Sequence, residues 1–275
     1  MRYSGFIAHL TLAILCFNFS PCKATEIPET AHVNDLLAFA LAEISRTDQE
    51  KDTALAIQSF EIAAERGSSI ALHALGLIHL EGIGVQKSKE RAYEFFSQGA
   101  KKKYPPSQNM LGALYMQGIP NPNRKFYNYK KAGQLFEQAA AKNYGPAQYN
   151  LGNAFRTGRG KPKDLKASHD WFQRAAEQEV AEAQYFLAVS YELGAVKDRD
   201  LNLAKHWFCK AASQELVQAE IIIRKRYGGM RSCPSQRVNY VESSILMSQL
   251  RDREQETRRN RASQTRTILS KVAST

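Results

Sequence analysis

The residues that could act as nucleophiles, bases or metal ligands form no recognised catalytic motif. The chain has six histidines, but it contains no H-E-x-x-H pair, no G-x-S-x-G turn and no phosphate-binding P-loop. One S-x-x-K match joins Ser20 to Lys23, inside the apolar N-terminal region described below. His169 and His206 have no acidic residue at a spacing that indicates a catalytic pair. We therefore predict no catalytic residue and no enzymatic activity.

The cysteines favour a disulfide over a metal site. Four cysteines are present, and only Cys209 and Cys233 lie outside the N-terminal region. No C-x-x-C motif or nearby histidine pair accompanies them, so we predict neither a metal ion nor another cofactor. In an oxidising compartment the two thiols can form a disulfide. The alternative is a buried Cys209 beside Phe208 and a free Cys233.

Four residue classes recur along the chain in one register. A small residue opens each unit, at Ala71, Ser107, Ala147, Ala183 and Ala219. Five residues later come Gly76, Gly112 and Gly152, and then Ala188 and Arg224 in the same register. An aromatic residue or histidine follows, at His79, Tyr115, Phe155, Tyr191 and Tyr227, and a phenylalanine recurs at Phe60, Phe96, Phe136, Phe172 and Phe208. Each series advances by 36, 40, 36 and 36 residues. Such a period is typical of a repeat protein.

Each unit has the pattern of two helices. In the first, Ala147, Leu151, Ala154 and Phe155 form one apolar stripe at helical spacing. Gly158 is expected to end this helix, because glycine readily adopts the left-handed conformation of a helix end. The second helix carries an apolar stripe that ends in a pair of alanines in most units. A single pair of helices cannot bury both of its apolar faces, so we expect the units to stack into a solenoid.

The quoted markers resemble the Sel1-like repeat, which is related to the tetratricopeptide repeat. "AQYNLGNAFRTGRG", at residues 147–160, and "WFQRAAEQ", at residues 171–178, fit its pattern well. The resemblance implies an all-α, right-handed αα-superhelical solenoid, which we assign to residues 29–230. It also implies a non-enzymatic scaffold that binds other proteins. Ala188 and Arg224 depart from the glycine of the pattern, and Arg224 suggests that the last helix is a degenerate cap.

The resemblance also implies where a partner would bind. In tetratricopeptide repeats the first helices line a concave groove, and the inward positions lie three residues before, one after and four after the glycine. Here these positions vary between units while the packing markers do not. The predicted partner-binding residues are His73, Asn109, Met116, Tyr149, Asn153, Arg156, Tyr185 and Glu192.

Residues 1–24 are predicted to be a secretory signal peptide. A short positive start precedes an apolar run over residues 6–19, which His9 and Asn18 interrupt. The run is shorter than the roughly 20 apolar residues of a membrane-spanning helix. Cys22 and Ala24 form a permissible cleavage site before Thr25. We therefore expect export to the periplasm or the exterior, the alternatives being a buried N-terminal helix or an uncleaved anchor.

Positive charge is concentrated at the C-terminal end. The formal net charge of the chain is +11, but residues 25–223 contain 24 basic and 23 acidic residues. Residues 224–275 contain 12 basic and 4 acidic residues. Within the assigned tail, residues 231–275, Val238, Val241, Ile245 and Leu246 have the spacing of an amphipathic helix. The Arg-rich stretch at 251–266 is either a solvated helix or disordered tail, or a contact with an anionic partner.

Taken together, these patterns predict an exported scaffold whose groove binds another protein. A role in nucleic-acid binding does not suit an exported protein. One rival is a cell-envelope enzyme or cell-wall-binding protein, because some bacterial relatives of the repeat have been credited with binding or hydrolysing β-lactams. The lack of a nucleophile–base pair argues against hydrolysis. The other rival is a protein that binds membrane surfaces through its basic tail.

Overall fold

A computed structural model describes residues 31–45, 53–118, 127–196 and 198–233. The predicted signal peptide, the amphipathic stretch at 238–246 and the Arg-rich stretch at 251–266 lie outside these ranges. Within them the chain forms α-helices, one 3-10 turn at Met230–Ser232 and no β-strand. The helices are α1 (Val33–Ser45), α2 (Thr53–Glu65), α3 (Ser69–Glu81), α4 (Lys89–Lys101), α5 (Pro105–Gln117), α6 (Tyr129–Ala140), α7 (Gly145–Thr157), α8 (Leu165–Glu177), α9 (Ala181–Leu193), α10 (Leu201–Ser213) and α11 (Val217–Arg226).

The helices pack as successive pairs. Each odd-numbered helix from α1 to α9 packs most extensively on the helix that follows it, and each pair also contacts the next pair. From α3 onward, the first helices begin 36, 40, 36 and 36 residues apart, and from α2 onward the second helices do the same. This register matches the sequence markers, so the predicted all-α solenoid is confirmed. α5 and α7 also contact each other, as expected if the first helices lie on the inner side of the curve.

In the four pairs from α3–α4 to α9–α10, the second helix begins in one recurring way. A residue with a short polar side chain caps the second helix by accepting a backbone N–H from its first turn, at 2.9 to 3.1 Å. The backbone N–H of the same residue donates to the carbonyl of the aromatic or histidine marker on the first helix, at 2.8 to 3.2 Å. These caps are Ser88, Asn128, Asp164 and Asp200. Together the two bonds fix where the second helix starts relative to the first.

The turn between pairs depends on the paired small residues. After α6, the Ala140 carbonyl accepts the Asn143 N–H at 2.9 Å, and the Ala139 carbonyl accepts the Tyr144 N–H at 3.4 Å. Asn143 has a φ of 58°, the left-handed conformation that reverses the chain after a helix. The equivalent residues in the other turns, Gly67, Lys103, Glu179 and Glu215, have φ values of 94°, 58°, 59° and 61°. The alanine side chains themselves are buried between helices, as close approach requires.

The register glycines allow the two helices of a pair to touch. A Cβ atom on Gly76, Gly112 or Gly152 would lie 2.5, 2.6 or 2.9 Å from the nearest ring atom of the phenylalanine in the following helix. Those rings, of Phe96, Phe136 and Phe172, are at most 3% exposed. Ala188 holds the same register position and is fully buried with Phe208, so the fourth such pair accommodates a methyl group.

The described solenoid ends at α11. Ile221 on this helix is 44% exposed, whereas His73 and Asn109, in the same register position, are 5% and 6% exposed because another pair covers them. Arg224, in the register of the glycines, is exposed. The structure places Cys209 of α10 and Cys233 in disulfide geometry, with their Cα atoms 5.6 Å apart. Such a bond would hold the segment after α11 against the last pair.

Candidate protein-binding groove

The inner surface of the solenoid is formed by two positions of each first helix. These positions lie one and four residues after the register glycine or its replacement, and their side chains are partly exposed. We call them the inner groove: Leu77, Leu80, Ala113, Met116, Asn153, Arg156, Val189 and Glu192. No two of the four units have the same pair of residues here. Met116, Asn153, Arg156 and Glu192 were predicted to bind a partner, and the structure leaves their side chains partly accessible.

The position three residues before the glycine serves mainly in packing. His73 and Asn109 are almost fully buried, and Tyr149 and Tyr185 are partly buried. Asn109 accepts a hydrogen bond from Asn150 of the next first helix at 2.8 Å. The resemblance to tetratricopeptide repeats predicts that these residues lie on the groove surface, but His73 and Asn109 are almost fully covered in the structure and the two tyrosines are covered in part. A role for them in partner binding stays a prediction.

His73 shows what this burial does to a titratable group. Its ring lies 5.5 Å from that of Phe96 and 5.8 Å from that of Tyr104, and its Nδ1 atom is 3.4 Å from Ser107 Oγ. Burial disfavours the charged imidazolium and lowers the pKa of His73 to about 4. His73 is therefore neutral at physiological pH and behaves as part of the core.

Arg156 is the only cation of the inner groove, and it is held from two sides. Its Nε and Nη2 atoms donate to Asn153 Oδ1 at 3.0 and 2.7 Å. Its guanidinium carbon also lies over the ring of Phe186, 4.7 Å from the centroid. The charge is thus fixed at one point of the groove.

Glu192 occupies the same position in the next unit, but its charge is balanced by the solenoid itself. Its two carboxylate oxygens accept hydrogen bonds from Arg226 at 2.7 Å and from the Tyr227 hydroxyl at 3.2 Å. The Glu192 side chain is 13% exposed. Burial, and then the Glu192 charge, raise the pKa of Tyr227, so the hydroxyl remains a donor. Glu192 therefore links α9 to the end of α11. Both of its carboxylate oxygens already accept hydrogen bonds within the solenoid, so it has less capacity than Arg156 to bind a partner.

The repeated units identify the protein family of the chain. The sequence model described as "Sel1 repeat" matches residues 38–68, 69–104, 105–144, 145–180 and 181–216, which is more than half of the chain. The chain belongs to the Sel1 repeat family. Its unit boundaries fall in the turns that follow the second helices, where the left-handed residues lie. The resemblance inferred from the sequence markers is therefore confirmed.

Solved structures place the chain among Sel1 repeat proteins. A Sel1 repeat protein from Oxalobacter formigenes is 26% identical with a TM-score of 0.63, over 70% of this chain and 77% of that one. A protective antigen of uropathogenic Escherichia coli, with the SLR fold, is 23% identical with a TM-score of 0.58, over 72% of this chain but only 43% of that one. An immunity protein from Pseudomonas aeruginosa is 20% identical with a TM-score of 0.51, over 84% and 86%. The last two likenesses show the fold alone. No curated protein sequence matches the chain.

The two helices of a Sel1 unit are also joined by a polar contact that the sequence analysis did not find. Glutamines 30 residues apart bond to each other in three successive units, at 2.6 to 2.9 Å. These pairs are Gln108–Gln138, Gln148–Gln178 and Gln184–Gln214. The first member of each pair is at most 3% exposed. Both members recur 40 and 36 residues apart, so the same search for register would have found them.

One contact has the atoms of a nucleophile–base pair, and the sequence analysis did not find it. His169 Nδ1 lies 2.8 Å from Ser190 Oγ, between α8 and α9. The His169 ring is 2% exposed and meets the Tyr191 ring edge-on at 5.3 Å. A substrate cannot reach this imidazole without separating the two helices. The arrangement suits packing between successive Sel1 units, because Tyr93 makes the same edge-on contact with Tyr115 at an earlier junction between units.

Within residues 31–45, 53–118, 127–196 and 198–233, no three His, Cys, Asp or Glu side chains are grouped so that they could hold a metal ion. None of the helices in these ranges is long and apolar enough to span a bilayer.

Sel1 repeats generally mediate protein–protein interactions, and the family is a non-enzymatic scaffold fold. The inner groove is therefore the surface of this chain on which to look for a partner. Its N-terminal part, from α3 and α5, is apolar. Its C-terminal part, from α7 and α9, carries Asn153, Arg156 and Glu192.

Proposed function

We propose that the chain is an exported scaffold whose inner groove binds a segment of another protein. The observation that supports this proposal is the contrast between two sets of positions on the first helices. The opening small residue, the register glycine or alanine and the phenylalanine pack the four pairs from α3–α4 to α9–α10 and keep their residue class from unit to unit, whereas the partly exposed inner-groove positions change from Leu80 to Met116, Arg156 and Glu192. A solenoid whose framework repeats while its inner surface changes is suited to recognising one particular partner.

Crosslinking in intact cells tests the groove. The full chain would be compared with a groove variant that carries Leu80→Ser, Met116→Ser and Arg156→Gln. The matched control carries Lys166→Gln and Arg174→Gln on the second helix α8. All three proteins must unfold cooperatively at similar temperatures. We expect a crosslinked partner with the wild type and the control and its loss with the groove variant. If the groove variant crosslinks the partner as well as the wild type does, the proposal is contradicted.

Export is the second part of the proposal, and it is supported by the charge and apolar pattern of residues 1–24. The mass of the chain recovered from cell fractions tests it. We expect a protein that begins at Thr25 in the periplasmic or extracellular fraction. A full-length chain in the cytosolic fraction would contradict export.

The Arg-rich stretch at 251–266 is proposed to add an electrostatic contact with an anionic surface of the partner or the envelope. The support is the excess of 12 basic over 4 acidic residues after position 223. Deletion of residues 251–266 should weaken capture at low salt more than at high salt, because exposed charges are screened as ionic strength rises. Equal capture at both salt concentrations would count against this contact.

A further inference from the structure

We propose that Arg156 is the specificity-determining residue of the groove and that it binds an internal Asp or Glu side chain of an extended partner segment. The inference rests on the proposed function of the groove and adds the chemistry of the occupant. It begins from the fixed position of the guanidinium between Asn153 and Phe186.

The contacts of Arg156 leave donors for a ligand. A guanidinium has five N–H groups. Asn153 Oδ1 accepts one hydrogen bond from Nε and one from Nη2, and these two bonds leave the Nη1 donors for a ligand. Because the ring of Phe186 holds the plane of the group, a carboxylate can meet oriented donors with little further loss of side-chain freedom. A carboxylate is also the protein group that matches the planar guanidinium in a bidentate contact.

The neighbouring charges favour an anionic occupant at this point. Within residues 31–45, 53–118, 127–196 and 198–233, none of the ion pairs between side chains includes Arg156. Glu192, the nearest acidic member of the inner groove along the chain, is instead bonded to Arg226 and Tyr227. Arg156 and the exposed Glu182 both influence the pKa of Tyr149, but none of these ion pairs joins the two, so Arg156 presents a positive charge with no direct carboxylate partner.

The position of Arg156 along the solenoid indicates an internal side chain rather than a chain terminus. The groove continues on both sides of it, through Leu80 and Met116 of earlier units and through Val189 of the next unit. A segment that lies along this groove passes Arg156 and continues. The apolar side chains of α3 and α5 further require apolar partner residues on one side of the acidic residue.

Selection of peptides from a display library tests the inference. Random 16-residue peptides would be selected on the full chain, and the Kd of the enriched peptides would be measured. We expect enrichment of one internal Asp or Glu next to apolar residues. Replacing that Asp by Asn, or Glu by Gln, should raise the Kd about tenfold or more, as expected for a lost hydrogen bond between charged groups.

A double-mutant cycle then assigns the effect to Arg156. Neutralising the peptide acid should cost little further affinity with the Arg156→Gln variant, because the charge that it faces is gone. The matched control is Arg174→Gln, since the Arg174 guanidinium also lies 4.7 Å from a ring centroid, that of Trp171 on α8. With this control the full tenfold effect should persist. If neutralising the peptide acid raised the Kd by the same factor with Arg156→Gln as with the wild type, the inference would be overturned.

The remaining outcomes separate this inference from the proposed function. Peptides that need Leu80 and Met116 but no acidic residue would overturn the role of Arg156 and leave the groove intact. Peptides whose binding is lost on C-terminal amidation would overturn the assignment to an internal side chain. The absence of any peptide that depends on the groove would overturn both proposals.

Discussion

The two faces of each first helix differ in how strongly the sequence constrains them. On the face toward the second helix, Gly76, Gly112 and Gly152 each meet a phenylalanine ring, and a single added carbon would lie within 3 Å of that ring. On the groove face, the equivalent positions carry leucine, methionine, arginine and glutamate. The first face determines that the chain forms a solenoid, and the second is available to determine what the solenoid binds. Four experiments compare these faces, from the largest expected effect to the smallest.

The largest effect is expected from Gly112→Leu. The new side chain would start 2.6 Å from the buried ring of Phe136, so the free energy of unfolding should fall by about 3 kcal/mol, at the upper end of overpacking costs. The matched control is Ala113→Leu, the adjacent residue on the groove face, which should change stability by only about 0.5 kcal/mol. Chemical denaturation of both variants checks this. Equal losses would mean that the two faces are packed alike.

A pH titration tests whether the position of His73 belongs to the packing face. Its pKa is lowered to about 4 in the folded chain, so the unfolded chain binds the proton first as the pH falls below the usual value of 6.5. Stability should fall between pH 6.5 and 4, with a loss from His73 of roughly 2 kcal/mol at pH 5.

The control for this titration is the His73→Asn variant. Asparagine does not titrate, so the variant should lose the part of the pH dependence that comes from His73 while other groups continue to contribute. The same pH dependence in the variant and the wild type would show that His73 is not the group responsible.

The glutamine pairs test the packing between the two helices of a unit. Gln178→Ala removes the donor that Gln148 Oε1 accepts from at 2.6 Å, and Gln148 is 2% exposed. The free energy of unfolding should fall by about 1–2 kcal/mol, because a buried acceptor loses its donor. Gln173→Ala on the same helix, where the bond to Glu177 is exposed, is the control and should change stability by about 0.5 kcal/mol or less. Similar losses in both would mean that water replaces the buried bond.

The smallest change in stability is expected on the groove face. Arg156→Gln and Arg174→Gln each remove a guanidinium stacked on a ring at 4.7 Å, so each should cost roughly 0.5–1 kcal/mol. Thermal unfolding measures that cost, and partner capture measures binding. Only Arg156→Gln should reduce capture. A loss of capture with both variants would show that binding follows stability rather than the groove.

Much of the fold was predictable because it repeats. The series of glycines and phenylalanines established the period, and Gly158 was predicted to end a helix, where it is the left-handed C-cap of α7. The burial of His73 and Asn109 was not predictable in this way, because it depends on how closely the next unit approaches. Spacing within a single helix carries no information about that distance. The Ser190–His169 contact also depends on the relative placement of two helices, which the sequence pattern does not give. The residues that line the groove differ from unit to unit, so the repeat pattern does not identify a partner.

The turns between units have a consequence for how such chains change over generations. Tyr104, Tyr144, Val180 and Leu216 each precede a first helix, and each donates its N–H to the carbonyl at the same place in the preceding helix. Recombination between two of these turns would therefore delete or duplicate one whole unit and recreate the same bond at the junction. The length of the groove can be altered by a single genetic event, independently of the residues that line it.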